Sequence, residues 1–409
     1  MVTERGSRNI EAMTANLSDK DYHRIQHFIS DSPWSARELI DSVALDVNEL
    51  FKNKASVGLL IDESSEEKKG DFSVGVAHQY CGNLGKLANC QVAVFTTLCA
   101  DENFSLIDAE LYLPESWTND LERRKKAGVP TDIKYRKKTE IALEMIKRIQ
   151  KAGIRFDYVA ADGLYGHDVA FRAGLDALGI TFVVDTHKDT KIYKEQFSIE
   201  IPEKKAGTRG KTPTVAKPNK EAFRVDKYIK DLKESDWEKV ELRNGSKGAL
   251  VSKVHSREVY IEEYNVCKKR TLIIRKTQVH KRERIHYILS NQSLTTCKAS
   301  KLAEYQCTRY YIEQSFREVK QNIGMCDYQV RGWLAWNHHI ALSMMALAFL
   351  TMEKLEHQNE IPLLSYRDIR DIIIANYLEK MEPLPVEIKI ERRHQKRQKD
   401  INRHYKYQP

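Results

Sequence analysis

Apolar residues along this 409-residue chain change period several times, and each change marks an element. The opening stretch has helical spacing. LSDKDYHRIQHFIS begins at a capping residue, Ser18, and SARELIDSVALDVNELF begins with a capping box from Ser35 to Glu38, just after Pro33. From residue 57 the period shortens. VGLLIDE at 57–63, NCQVAVFTTL at 89–98 and LIDAELYL at 106–113 are short apolar or alternating runs bounded by Gly, Asn, Ser and Pro, which predicts strands. TEIALEMIKRIQKAG then returns to helical spacing, with Ala142, Met145, Ile146 and Ile149 on one face and Gly153 as its stop. A strand over FDYVAAD, a helix over DVAFRAGLDAL closed by Gly179, and a strand over ITFVVDT follow. That order describes an α/β chain with a mixed sheet and helices packed on it.

Residues 187–220 interrupt the pattern, because EKKAGTRGKTPTVAKPNK is rich in Gly, Pro, Lys and Thr and reads as a flexible basic loop. Between Trp237 and Asn291 the strand patterns return in KGALVSKVHS, REVYIEEYNV, RTLIIRKTQV and RIHYILSN, with no clear helix among them. Residues 299–355 are then mostly helical, and 363–380 predict one more helix. The chain therefore divides into an N-terminal helical region (1–54), the first part of an α/β core (55–190), a basic loop with a β-rich insertion (191–295), the second part of the core (296–380) and a basic tail (381–409). There is no internal repeat.

Composition narrows the class. A hydrophobic content of 41% suits a real core, and 67 Lys plus Arg against 58 Asp plus Glu leave a formal charge of +9. Much of that excess sits in residues 391–409, ERRHQKRQKDINRHYKYQP, with seven Lys or Arg against two acids. The tail reads either as a solvated terminus or as an arm that contacts phosphates. Seven cysteines without paired C-x-x-C spacing predict neither a disulfide framework nor a zinc ribbon, which fits a reducing cytoplasm. No charged leader precedes an apolar run, and IALSMMALAFL at 340–350 is about half a bilayer span, so no membrane partner is expected.

Three acids stand out by position. Asp62 and Asp162 end predicted strands, and Glu313 lies in RYYIEQSFREVK, 309–320, where Arg309, Glu313, Phe316, Arg317 and Lys320 share one helical stripe. Neighbouring strand ends of an open sheet face one crevice, so two aspartates there can converge and a helical glutamate can complete the cluster. Clustered carboxylates repel unless a cation neutralises them. Mg²⁺ accepts a few carboxylate oxygens and keeps positions open for water and phosphate, and two such ions about 4 Å apart suit in-line displacement at phosphorus. Arg309 and Lys320 would then hold the flanking backbone phosphates. The alternative is that each Asp is a turn or cap residue and the cations pair with Glu313 on a solvated face.

With these residues in view, the sequence resembles the insertion-sequence transposases of ribonuclease-H-like fold that carry an Asp-Asp-Glu triad, with the third acid in a Tyr-Arg-Glu-Lys signature. Arg309, Glu313 and Lys320 match that signature, while its tyrosine position is Gln306, with Tyr305 beside it. SVGVAHQYCGNLGKLANCQVAVF at 73–95, ADGLYGHDVAF around the second acid and RGWLAWNHHIALSMMALAFL after the third agree with the same family. After the first acid the family shows a second aspartate and a Thr-Gly-Phe-Pro run, whereas this chain reads ESSEEKKG, which makes Glu63 a candidate to share the metal. The chain also starts inside what resembles the family's N-terminal helical region, so a shortened DNA-binding part is expected.

The resemblance implies Asp62, Asp162 and Glu313 as metal ligands for two Mg²⁺ ions, with Mn²⁺ able to substitute. It implies Arg309, Arg317, Lys320, Tyr305 and Trp237 as DNA-facing residues, Trp237 as the aromatic that holds a flipped base at a hairpin end. The implied function is cut-and-paste transposition, with hydrolysis at the terminal inverted repeats and strand transfer to target DNA, by a homodimer on DNA in the bacterial cytoplasm at the nucleoid. Two alternatives stand beside it: a transposase-derived DNA-binding protein that has lost cleavage, and a general two-metal nuclease.

Overall fold

Helices give way to strands at the residue where the apolar period shortens. The computed structural model describes residues 8–10, 19–203, 211–245, 248–279, 282–362 and 364–379, with scattered residues between 385 and 402. Ser18 and most of the basic tail lie outside the described residues. Helix α1 covers Asp19–Ser30 and α2 Ala36–Phe51, whose first turn is capped by Ser35 accepting from the Glu38 N–H. Then come strands β1 (Gly58–Glu67), β2 (Ala77–Cys81), β3 (Lys86–Ala100) and β4 (Asn103–Leu111). The sequence reading stops the first strand at 63 and omits β2. The first strand is longer because Ser64 and Glu66 interrupt the apolar run while the backbone keeps pairing with β3 from Gly58↔Cys99 to Glu67↔Cys90, and β2, with its polar alternate residues, pairs with β3 from Ala77↔Cys90 to Cys81↔Lys86.

Short helices α3 (Glu115–Thr118) and α4 (Leu121–Ala127) lead to α5 (Lys138–Lys151), then β5 (Tyr158–Ala161), α6 (Gly163–His167), α7 (Val169–Ala177) and β6 (Phe182–Asp185). In the sheet β1, β5 and β6 are parallel, with Ile61↔Ala161 and Ala161↔Val184 in register, and β3 lies antiparallel between β1 and β4. The order β4-β3-β1-β5-β6, three antiparallel strands followed by two parallel ones, is the ribonuclease-H-like arrangement.

The basic loop holds only short pieces: β7 (Lys191–Ile192) pairs with β10 (Phe223–Arg224), β8 (Ile199–Glu200) with β9 (Lys217–Pro218), and α8 spans Val225–Tyr228. Strands β11 (Glu238–Gly245), β12 (Gly248–Glu263), β13 (Val266–Val279) and β14 (Arg282–Ser290) form the β-rich insertion. KGALVSKVHS and REVYIEEYNV lie for the most part on one long strand, β12. The insertion is not a separate sheet: β14 pairs antiparallel with β6 at Ile288↔Asp185, Leu289↔Val184 and Ser290↔Val183, so ten strands are continuous.

Helices α9 (Ala299–Thr308) and α10 (Tyr310–Glu318) run end to end across one face of this sheet, followed by a π-helical turn, Val319–Ile323. Gly324, at φ +84°, ends it with the left-handed conformation that favours glycine. Helices α11 (Trp333–His357) and α12 (Tyr366–Glu379) complete the fold. Leu302, Ala303 and Cys307 of α9 bury Val183, Ile273 and Ile288, while Phe316 of α10 meets Phe95 of β3 edge-on. Helices α5 to α7 cover the other face of the core. Among the described residues no helix is long and apolar enough to cross a membrane.

Candidate active site

Register places the acids before any side-chain contact is considered. Asp62, Asp162 and Asp185 each stand one residue beyond the paired triplet Ile61, Ala161 and Val184, so they form a level row across three neighbouring parallel strands. The row lies at the carboxyl ends of these strands' parallel pairing, where open α/β sheets bind ligands. Asp162 also caps α6, accepting from the Leu164 N–H at 2.9 Å. Behind the row the packing is tight: a Cβ added at Gly166 of α6 would lie 1.9 Å from the carbonyl oxygen of Asp185, so only glycine allows this approach.

Arg309, at the junction of α9 and α10, ties the row to the third acid. Its Nη1 lies 3.4 Å from Asp62 Oδ2, its Nη2 3.0 Å from Glu313 Oε1, and its Nε 3.5 Å from Asp185 Oδ2, too poorly aligned for a hydrogen bond. One guanidinium thus touches acids from two strands and a helix separated by up to 251 positions in sequence. Gln306, at the signature's tyrosine position, is buried and donates to Asp185 Oδ1 at 2.8 Å.

Glu63 points elsewhere. Successive strand residues face opposite sides, and its carboxylate meets Lys138 Nζ at 3.1 Å and the Tyr165 hydroxyl at 3.0 Å, beneath α5 and α6. Glu63 is therefore near the row in charge but turned to the opposite face, and as a candidate to share the metal it is not brought together with Asp62 and Asp162.

The electrostatics are those of an under-neutralised acid cluster. Burial, with repulsion from Asp162, pushes the Asp62 carboxyl up to about 8. Burial and the Glu63 charge raise Asp162, and burial raises Asp185 to about 6. Burial also opposes the charge on Arg309, but Asp185, Asp62 and Glu313 outweigh it and raise its pKa. The oxygens of Asp62, Asp162 and Glu313 do not all lie within 4.8 Å of one another, because the Arg309 guanidinium sits between Asp62 and Glu313. Glu313 is 52% exposed, against 17% for Asp62, so it is the ligand free to swing inward. Hard oxygen donors, raised pKa values and one adjustable carboxylate fit Mg²⁺ or Mn²⁺.

The other expected site residues separate into two sets. Lys320 donates to Asn83 Oδ1 at 3.1 Å in the β2–β3 turn, and Arg317 is exposed beside Gln321, so both border the open side of α10. Phe316 leaves the stripe for the core. Tyr305 stacks on Tyr158 with ring centroids 3.7 Å apart. Trp237 lies under the Lys276 ammonium and near His255, on the sheet face opposite α9, so strand alternation keeps it away from the carboxylates. Asp185 is the residue that sequence reasoning passed over. Its signal was available: VGLLID, FDYVAAD and ITFVVD are three apolar runs, each closing on an aspartate.

The family described as DDE superfamily endonuclease matches residues 1–249, a span that contains Asp62 and Asp162 and ends before Glu313. A relative from Microchaete diplosiphon, named a probable transposase for insertion sequence element IS701, is 36% identical over 163 residues. That match covers 39% of this chain and 39% of the relative, so the chain spans well under half of the curated relative it matches. Among solved structures, the NurA nuclease from Sulfolobus solfataricus aligns over 85% of this chain and 100% of that one, at 8% identity and a TM-score of 0.26. On the family match, which takes in more than half its length, the chain belongs to the DDE superfamily endonucleases.

Proposed function

We propose that this protein is an insertion-sequence transposase that cuts the phosphodiester at each element end and joins the freed 3′-hydroxyl to target DNA at one metal site. The observation that carries the reading is that Asp62 and Asp162 stand side by side where the parallel pairing of a ribonuclease-H-like sheet ends, with Arg309 linking Asp62 to Glu313. Phosphodiesters are inert enough that roughly ten powers of ten of acceleration are required, most of it electrostatic. Asp62, Asp162 and Glu313 hold two Mg²⁺ ions in this reading. When bound, the ions activate the attacking oxygen and stabilise the leaving one.

The remaining residues position the strand. Arg309 balances the carboxylates and, in this reading, turns to the phosphate once cations take over that role, while Asp185 with Gln306 fixes where the guanidinium stands. Lys320 and Arg317 extend the cationic border along α10 toward the flanking backbone. Two copies, one at each terminal repeat, would bring both ends to one target.

The test is cleavage of repeat-bearing DNA with Mg²⁺ by wild type and by Asp162→Asn. Wild type is expected to nick the repeat ends and the variant to bind without nicking. Equal cleavage by both would refute the triad, binding without cleavage by wild type would indicate a DNA-binding descendant, and equal cleavage of DNA lacking the repeats would indicate a general nuclease.

A further inference from the structure

The row of acids does not end at Asp185. On β14, Ile288 is the register partner of Asp185, and His286, two residues earlier, shares its face. His286 is paired with Arg275 of β13, and Arg284 with Thr277, so Arg275, Thr277, Arg284 and His286 occupy the same sheet face as Asp62, Asp162 and Asp185. His286 Nδ1 is 4.0 Å from Asp185 Oδ2, which joins the two groups.

Arg275 is the unusual member. It is only 6% exposed, its Nη1 donates to Thr277 Oγ1 at 2.9 Å, its Nε has no hydrogen-bond partner, and no acid forms an ion pair with it among the described residues. A buried guanidinium with no direct ion pair is costly unless something anionic comes closer to compensate it. Burial is the largest cause lowering the Arg275 pKa; Asp185, near but not ion-paired with it, raises it, and Arg243 and Arg309 lower it. Burial, then Arg275, Arg309 and Arg284, likewise holds His286 down at about 4, a neutral imidazole able to donate one hydrogen bond. Arg284 is exposed and has no acidic partner among the described residues, so the arrangement opens to solvent at that end.

We infer that Arg284 and His286, backed by the buried Arg275 and bordered by Arg309, form a phosphate subsite that receives a backbone phosphate of the DNA strand next to the bond being cut. The inference rests on the proposed DNA-cleaving function, and it makes the β-rich insertion part of the active site. Arg284 and His286 supply hydrogen bonds to the phosphate oxygens, and Arg275 supplies charge from behind.

The test is the salt dependence of binding to repeat-bearing duplex, read by fluorescence anisotropy with Ca²⁺ in place of Mg²⁺, for wild type, Arg284→Gln and Arg275→Gln. Each neutralised phosphate contributes about −0.9 to the slope of log K against log salt. Arg284→Gln is expected to make the slope shallower by about one and to weaken binding about tenfold near 0.15 M salt, with Mn²⁺-induced thermal stabilisation unchanged. Because Arg284 is exposed, this variant serves even if Arg275→Gln fails to fold. An unchanged slope and affinity in Arg284→Gln would overturn the subsite. Inorganic phosphate is titrated in parallel, and saturable stabilisation of wild type alone, with no DNA effect in the variant, would assign the site to free phosphate and overturn the DNA assignment. The Asp162→Asn cleavage result separates the two readings: the subsite can fail while the triad stands, and a normal slope change with a failed triad would leave a DNA-binding face without catalysis.

Discussion

One face of the ten-stranded sheet has an acidic half and a basic half, and they are built differently. The acidic half lies on β1, β5 and β6, whose parallel pairing ends at one level, so one aspartate next to each falls into a row. The basic half lies on β13 and β14, an antiparallel hairpin that contributes Arg275, Arg284 and His286 by alternation. Parallel strand ends concentrate ligands for cations, whereas long antiparallel strands spread cations along a backbone path. The two halves meet at three residue pairs between β6 and β14. On the opposite face that narrow joint is reinforced by Glu263, which takes Arg172 Nε at 2.6 Å and Arg270 Nη2 at 2.5 Å, with Arg270 also bound to Asp176.

The comparison can be broken most severely in the acidic half. Asp62→Asn or Glu313→Gln is expected to lower single-turnover cleavage by about a thousandfold or more, with the melting temperature of the protein preserved or raised. Retention of a tenth of the activity by either variant would remove that residue from the metal site.

Next in size is the joint. Glu263→Ala leaves Arg172 and Arg270 buried without their shared acid, at a cost of about 3 kcal/mol in stability, measurable by urea unfolding. Loss of under 1 kcal/mol would mean that β12 and β13 are not locked to α7 through this pair.

A finer cut falls between Asp185 and its support. Gln306→Ala removes one hydrogen bond to a buried carboxylate, worth about 1–2 kcal/mol, so kcat is expected to fall up to about tenfold while Mn²⁺ affinity is unchanged. A changed Mn²⁺ affinity would instead make Asp185 a ligand.

The acidic half also sets a pH dependence. Asp62, raised from 3.8 to about 8, binds a proton in the folded state across a range where the unfolded chain has released it. The folded state then binds more protons, so the stability of the metal-free protein falls as pH rises from about 4 to about 8. Asp185 adds to this fall up to about 6. Thermal shifts are expected to show that decline, a larger stabilisation by Mn²⁺ at pH 8 than at pH 5, and a weaker decline in Asp62→Asn.

The acidic half was legible in the sequence because each of its parts has a local signal. Asp62 and Asp162 close apolar runs, and Arg309, Glu313 and Lys320 keep a helical spacing. Asp185 has the same local signal, but a lone strand-end aspartate resembles any cap, and what distinguishes it is the side-by-side pairing of β5 with β6 and the reach of Gln306. The basic half was not legible. Its residues reach the site only through the β6–β14 pairing of segments about a hundred residues apart, and nothing in RIHYILSN announces its partner. Trp237 illustrates the same gap from the other side, since the Lys276 and His255 side chains that place it lie on strands the sequence does not connect to it.

The most direct measurement is an anomalous diffraction map of Mn²⁺ in crystals of the protein with repeat-end DNA. The expected result is Mn²⁺ density at Asp62 and Asp162, with the Glu313 carboxylate swung onto it and Arg309 displaced toward Asp185 and the DNA phosphate. Density confined to a group elsewhere, such as Glu353, Glu356 and His357 of α11, with none at Asp62, would contradict it.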